Sequence, residues 1–369
     1  MRFPEFSGEW ETLFVDDVCP EFQSGKNIKA ENIKSEGLYP VYGGNGLRGY
    51  TDIYNHDGTY VLIGRQGALC GNVRLVEGRN YITEHAIAVS SSNEHCIYFL
   101  YYLFYKMNLG QYSDQSAQPG LAVNKLLRLK LHIPLKDEQT KIAKILTLLD
   151  TRIATQNKII EDLKKLKVAI CNKLIDNLVN HEPLIRFTEV YSKAGEGGTP
   201  ETSKSEYYEN GNIPFIKIDD LSNKYIISNK DFITDLGLQK SSAWIIPTHS
   251  LIYSNGATIG AISINTYEVC TKQGILGIVP KTSISVEYLY CLMSSNYFSK
   301  QVHRIITHGT MATAYLKDIN KIKVPIPCMQ KQLEIANTIS SVTNKIGTEL
   351  NILSLLLKQK QYLLQQMFI

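Results

Sequence analysis

Two stretches of this sequence repeat apolar residues in steps of four and three, and they share one register. The first seam runs Ile142, Leu146, Leu149, Ile153, Gln156, Ile160, Leu163, Lys167, Ile170 and Leu174; the second runs Ile335, Ile339, Val342, Ile346, Glu349, Leu353, Leu356, Lys360, Leu363 and Met367. Every position corresponds at a spacing of 193 residues, including the two polar interruptions. Alternation sustained this long predicts coiled-coil helices rather than ordinary surface helices. A helix of about 40 residues is roughly 60 Å long at 1.5 Å per residue, too long to be buried inside a domain of this size. The two helices are therefore expected to pack on each other.

The repeat extends upstream of the helices. Val123 to Ala143 reads VNKLLRLKLHIPLKDEQTKIA and Leu316 to Ala336 reads LKDINKIKVPIPCMQKQLEIA, so that Ile133-Pro134, Gln139 and Ile142-Ala143 recur as Ile326-Pro327, Gln332 and Ile335-Ala336. Before each Pro the pattern alternates as in a strand; after it the period is helical. The remaining segments match more loosely: LIGRQGALCG (Leu62–Gly71) resembles LIYSNGATIG (Leu251–Gly260), EGLYPVYGG (Glu36–Gly44) has a counterpart in GNIPFIKID (Gly211–Asp219), and FLYYL (Phe99–Leu103) in YLYCL (Tyr288–Leu292). Short β-rich runs at Tyr60–Ile63, Ala86–Ser90, Ser250–Ser254 and Ile275–Val279 are separated by Gly- and Asn-rich turns, with one helix per unit near Glu94–Met107 or Val286–Phe298. The expected fold class is α+β. Two similar domains, residues 1–135 and 181–328, are separated by a central long helix, 136–180, and a C-terminal one, 329–369. Paired antiparallel as a coiled coil, the helices imply a pseudo-two-fold internal repeat with two heads at a fixed separation.

Composition narrows the class. With 369 residues, 44% apolar and 20% charged, the chain has a globular composition with room for two cores. No apolar run approaches the roughly 18 residues needed to span a bilayer, and MRFPEFSGEW has no signal-peptide apolar region, so a cytoplasmic location without membrane partners is expected. The seven cysteines are scattered and never form CxxC, which reads as reduced, mostly buried small hydrophobes. A net charge of +4 is too small to argue for nucleic acid by itself, and it is uneven: residues 1–135 carry 12 basic and 14 acidic side chains, residues 136–180 carry 9 and 6. Any basic footprint must be local.

Catalytic constellations are missing from the pattern. There is no GxxxxGK[ST] loop, HExxH, GxSxG or EF-hand spacing, and no Asn-Pro-Pro-aromatic tetrapeptide. Gly195-Glu196-Gly197-Gly198 reads as a flexible turn before a helix start, and His85, His303 and His308 read as core or surface residues rather than metal ligands. What remains are polar loops able to approach a duplex. Tyr42 to Tyr50 (YGGNGLRGY) combines backbone freedom with Asn45, Arg48 and Tyr50, suited to base edges or phosphates; the plain alternative is a hairpin turn. Arg65 and Gln66 carry the same ambiguity, because Asn and Gln can pair bidentately with adenine and Arg with guanine, yet all are common on loops. In the second half Ser203, Lys204, Lys217, Asn255, Lys272, Gln273 and Arg304 are comparable candidates, set against ordinary solvated side chains.

Taken together, these phrases resemble the specificity subunit of type I restriction-modification enzymes. The resemblance rests on the opening RFPEFSGEWE, the twice-occurring Ile-Pro motif followed by Gln and Ile-Ala, GGTP at Gly197–Pro200, SAQPGL at Ser116–Leu121, which adds Gln118 to the candidates, and YGGNGLRGY. SAQPGL has no clean partner in THGTMA at Thr307–Ala312. The resemblance implies a non-catalytic subunit whose two target recognition domains each read one half of an asymmetric, interrupted sequence in double-stranded DNA. It further implies antiparallel spacer helices that help bind two modification subunits, and restriction subunits joining that core. No cofactor is expected in this chain; S-adenosylmethionine, ATP and Mg²⁺ would act in the partners. The competing readings are a coiled-coil scaffold that binds protein only and a diverged nuclease, although no nuclease-like group of carboxylates with a Lys is present.

Overall fold

A computed structural model describes residues 2–114, 120–256, 258–307 and 312–368. They fall into two units, Met1–Lys158 with Leu350–Ile369, and Ile159–Glu349, so each unit takes one globular segment and part of both long helices.

The first unit runs from β1 (Glu11–Phe14) through a helical turn α1 (Val15–Val18) to β2 (Phe22–Ser24), the hairpin β3 (Tyr39–Gly43) and β4 (Gly46–Thr51), and β5 (His56–Asp57). Strands β6 (Tyr60–Gly64), β7 (Val73–Val76), β8 (Arg79–Ile82) and β9 (Ala86–Val89) precede helix α2 (Ile97–Met107), and α3 (Val123–Leu127) and β10 (Lys130–Ile133) lead into the long helix α4 (Lys136–His181). Two sheets form, ordered β2-β9-β6-β7 and β4-β3-β8-β5, while β1 pairs with β10. Side chains alternate across a strand, so Val61 and Ile63 of β6 are buried against Phe99, Leu100 and Phe104 of α2, and Leu62 is buried on the opposite face beside Ile82. Both faces are covered. That is why β6 and β9 read as continuous apolar runs rather than alternating ones.

The second unit repeats this plan. After β11 (Leu184–Arg186) come β12 (Tyr191–Glu196), β13 (Ile213–Ile216), β14 (Tyr225–Ile226), β15 (Phe232–Ile233), helix α5 (Asp235–Gln239), β16 (Leu251–Ser254), β17 (Ile262–Asn265), β18 (Cys270–Thr271) and β19 (Ile275–Pro280). Helices α6 (Val286–Met293), α7 (Asn296–Ile305) and α8 (Leu316–Ile319), strand β20 (Lys323–Pro325) and the long helix α9 (Met329–Met367) complete it. The order β9-β6-β7 recurs as β19-β16-β17, and the pair β1-β10 as β11-β20. The parallel pairing of Val41 with Tyr81 recurs as Phe215 with Cys270, which sets Pro40 level with Pro214.

Two details depart from the sequence reading. Leu251 and Tyr253 face the helices of their unit as Val61 and Ile63 do, and Ile252 lies on the far face with the role of Leu62. The ungapped match that sets Leu62 level with Leu251 is thus one residue out of register within the strand, although Gly71 and Gly260 still correspond: their N–H groups bond Gly64 O at 2.7 Å and Ser254 O at 3.0 Å. The intervening loop is one residue shorter in the second unit, and a one-residue slip exchanges the two faces of a strand. The single helix expected over Val286–Phe298 is also two. Ser295 breaks it, its Oγ accepting from Phe298 N at 3.3 Å as the N-cap of α7.

The long helices have 46 and 39 residues. Every position of both seams is buried or half-buried. In the first unit they run antiparallel: Ile142 and Leu146 share a core with Leu364 and Met367, and farther along α4 Asp150 pairs with Lys360 at 2.6 Å. In the second unit Ile175 and Leu178 share a core with Ile335 and Ile339. The repeated glutamine explains itself. Gln139 is buried at the start of α4, where its Oε1 accepts from Cys96 N, the residue capping α2, at 2.8 Å and its Nε2 donates to Pro134 O at 2.8 Å. Gln332 does the same with Ser285 N, the cap of α6, at 2.8 Å and Pro327 O at 2.9 Å. Each glutamine therefore satisfies an orphan helix N–H and ties a long helix to the core of its unit.

Candidate functional site

In the first unit the tip of the β3–β4 hairpin, the loop after β6 and the turn between β8 and β9 enclose a cleft of about 430 Å³, lined by Gly44, Asn45, Arg48, Gln66, Gly67 and His85. The hairpin reading of Tyr42–Tyr50 holds, and the hairpin tip is itself part of the cleft. A Cβ on Gly44 would stand 2.7 Å from His85 O, so only glycine lets the tip seat on that turn. Behind the cleft Arg65 N donates to His85 O at 2.9 Å, and Leu121 N donates to Arg65 O at 2.9 Å, which clamps the chain ahead of α3 against the end of β6. Asn45 and Arg48 are exposed, and neither Arg48 nor Arg74, whose guanidinium lies against Gly46, forms an ion pair among the described residues. The cleft therefore offers amide, guanidinium and imidazole groups for hydrogen bonding.

The second unit has a cleft of about 490 Å³ in the equivalent place, lined by Glu196, Thr199, Ile218, Gly256, Lys272, Gln273, Gly274, Thr313 and Tyr315. The same backbone bonds define it: Asn255 N donates to Gly274 O at 3.1 Å as Arg65 does to His85, and Ala314 N donates to Asn255 O at 2.9 Å as Leu121 does to Arg65. Leu121 thus corresponds to Ala314, two residues past the last residue of the THGTMA phrase. The glycine run beside it is no flexible turn before a helix. Gly195 lies in β12, and a Cβ on Gly197 would stand 2.1 Å from Thr271 O, so the run is a tight backbone approach. The heads differ most at the hairpin. Its two-residue tip, Gly44-Asn45, is replaced in the second unit by residues 217–231, closed by Lys217 on Asp231 at 2.7 Å.

The structure sorts the remaining candidates. Asn45, Arg48 and Gln66 meet in the first cleft, and Lys272 and Gln273 in the second. Arg65 is half-buried behind the first, its Nη1 donating to Ser24 Oγ at 3.1 Å, and Tyr50 lies along β4 opposite Pro40. Gln118 lies outside the described residues. Asn255 is corrected: it is fully buried, and its Nδ2 donates to Ala314 O at 3.2 Å, so it holds the chain ahead of α8 and cannot meet a surface partner. Ser203 Oγ and Lys204 Nζ both engage Glu201, at 2.9 and 3.4 Å, and these contacts, the serine's first, lower the carboxyl pKa. Lys217 is likewise paired, and Arg304 is exposed on α7 without lining the cleft. Sequence reasoning missed His85, Arg74, Glu196, Thr199, Thr313 and Tyr315. One signal was available for His85, since the turn carrying Lys272 and Gln273 is the equivalent of the turn carrying Thr83 to His85.

Among the described residues, no three His, Cys, Asp or Glu side chains stand together as a metal site, and no helix is long and apolar enough to cross a membrane. The family model described as the type I restriction modification DNA specificity domain matches twice, over residues 7–165 and 185–357. The chain belongs to that family. Among specificity subunits, that of the EcoprrI type I restriction enzyme from Escherichia coli is 49% identical over 155 residues, 41% of this chain and 38% of the relative. The match thus spans about two fifths of that relative's length. The MjaVIII specificity subunit of Methanocaldococcus jannaschii is 23% identical over 94% of this chain and 88% of its own. Among solved structures, the type I S subunit from M. genitalium shares the fold, with a TM-score of 0.62 at 19% identity and coverage of 100% and 99%.

Proposed function

We propose that this specificity-family chain binds double-stranded DNA as a non-catalytic subunit, each cleft reading one half of a bipartite, asymmetric target. The single observation that carries this reading is the pair of clefts. Both are built by the same backbone bonds at equivalent places in the repeat, yet one presents Asn45, Arg48, Gln66 and His85 and the other Lys272, Gln273, Thr313 and Tyr315. Equal frames give equal docking geometry, and unequal side chains give unequal half-sequences. The long helices set the gap and, with the globular units, dock two modification subunits that carry S-adenosylmethionine-dependent adenine methylation. Restriction subunits using ATP and Mg²⁺ complete the assembly, in the cytoplasm.

The test is to assemble the chain with its modification partners, map methylated adenines genome-wide, and measure binding to the mapped site at two or more salt concentrations. A bipartite asymmetric motif is expected, with affinity falling as salt rises because phosphate contacts release counterions. Salt-insensitive association with protein alone points instead to a scaffold. Purified by itself the chain is expected neither to methylate nor to cut DNA, and reproducible metal-dependent cleavage of plasmid by it overturns the proposal in favour of a nuclease.

A further inference from the structure

The last residue of β12 puts a carboxylate into the second cleft. Glu196 is exposed there and its Oε1 accepts from Gly274 N at 2.8 Å, which holds the side chain in place; its Oε2 has no hydrogen bond among the described residues. Lys272 lines the same cleft, and neither side chain forms an ion pair among the described residues. Pinning the turn does not need a charge. The neighbouring N–H of Gln273 is met by a hydroxyl, Thr199 Oγ1, at 3.2 Å. A negative charge facing a polyanion is repelled by phosphate, so in a DNA-reading cleft it requires a hydrogen-bond donor on the DNA to offset the repulsion.

The first unit has a different residue at this place in the same frame. Ser24 and Glu196 precede Gly25 and Gly197, whose N–H groups donate to Ala86 O at 3.1 Å and Ile275 O at 2.9 Å, and their strands pair in one register, Ser24 with Ile87 and Glu196 with Leu276. Ser24 Oγ accepts from Arg65 Nη1 at 3.1 Å. A cation therefore stands beside this position in one head, and an anion occupies it in the other. In the major groove the donors are the amino groups of cytosine and adenine. A carboxylate accepts and does not donate, and adenine sets its N7 acceptor beside the amino group, whereas cytosine sets a C–H there. We infer that Glu196 is a specificity-determining residue that accepts from the amino group of a cytosine in the second half-site, an inference that rests on the DNA-reading proposal. Guanine and thymine present acceptors at that edge and no donor, so the carboxylate disfavours both.

The experiment uses the complex with its modification subunits and duplexes of the mapped target. The second half of the motif, the half that persists when residues 1–135 are exchanged, is expected to contain an invariant C·G pair. Replacing that cytosine by an analogue without the 4-amino group should weaken wild-type binding about tenfold. Glu196→Gln keeps an oxygen for Gly274 N and turns the other end of the side chain into an NH₂ donor, so the thermal midpoint should stay the same while the penalty for the analogue falls below about twofold. Methylation should then extend to sites with guanine or thymine at that one position, the first half of the motif being unchanged. A second half without an invariant C·G pair overturns the inference. So does a Glu196→Gln complex that keeps the wild-type motif and the wild-type penalty, which would leave Glu196 only pinning the turn; DNA reading stands in both cases. Binding indifferent to the sequence of the second half-site overturns both.

Discussion

Asn45, Arg48 and Gln66 stood out in the sequence because polar side chains in glycine-rich loops have few structural duties, and they share one cleft. Arg48→Ala or Asn45→Ala is expected to weaken specific binding by about 1–3 kcal/mol, with unchanged thermal stability because both are exposed. Unchanged affinity and an unchanged methylation pattern would return the loop to a hairpin and nothing more. Gly44→Ala should behave oppositely, costing about 1–3 kcal/mol of stability, since its Cβ meets the His85 carbonyl and the turn must shift; denaturant unfolding measures it. Asn255 was misleading. It looks like a loop residue, but the chain ahead of α8, distant in sequence, covers it. Burial also pushes the thiols of Cys19 and Cys270 up to about 12. A folded-state value above the unfolded one means that the unfolded chain releases protons first as pH rises. The stability they contribute is complete below about 9 and is lost between about 9 and 12. Denaturant midpoints across that window should fall less steeply in a Cys19→Ala, Cys270→Ala double variant.

At the scale of elements, the seams and the Ile-Pro junctions were legible because a period of 3.5 or 2 survives any tertiary arrangement, and the four main strand runs because short apolar stretches bounded by Gly- and Asn-rich turns mark strands covered on both faces. The one-residue offset between β6 and β16 was not. Both strands are covered on two faces, so their runs are apolar throughout and carry no alternation to fix register. The break at Ser295 was hidden for a similar reason, since a serine inside an apolar helical period caps only if the next turn leaves the axis. The recurrence of glutamine before Ile-Ala was visible, whereas its task needed the caps of α2 and α6 in place. Gln139→Leu and Gln332→Leu should each lower stability by about 1–3 kcal/mol, because each leaves a buried N–H and proline carbonyl unpaired. The two losses should be similar. A neutral result at either site would show that the bonds are replaced by water or by rearrangement.

Over the whole molecule, the repeat leads to two predictions under the proposed function. Replacing residues 1–135 with the equivalent segment of a relative should change one half of the methylated motif and leave the other; both halves changing together would mean the heads do not read independently. Lengthening one seam alone leaves unmatched core positions in its partner, so a seven-residue repeat must be inserted after both Leu163 and Leu356. At 1.5 Å per residue the pair adds roughly 10 Å, or about three base pairs of gap, although the added pairs turn the second half-site by roughly 100° and binding should weaken. Robust methylation at the original gap sinks the idea of a spacer. What the sequence by itself determined is the repetition: two units, two long helices in one register, and the junctions between them, all of which are encoded in spacings along the chain. The clefts were decided only by the tertiary structure. Asn45, Gln66 and His85 lie on separate loops, and strand pairings between distant residues bring them together. Without those pairings nothing marks His85 out from the other histidines, and nothing shows that the second unit puts Gly274 in its place.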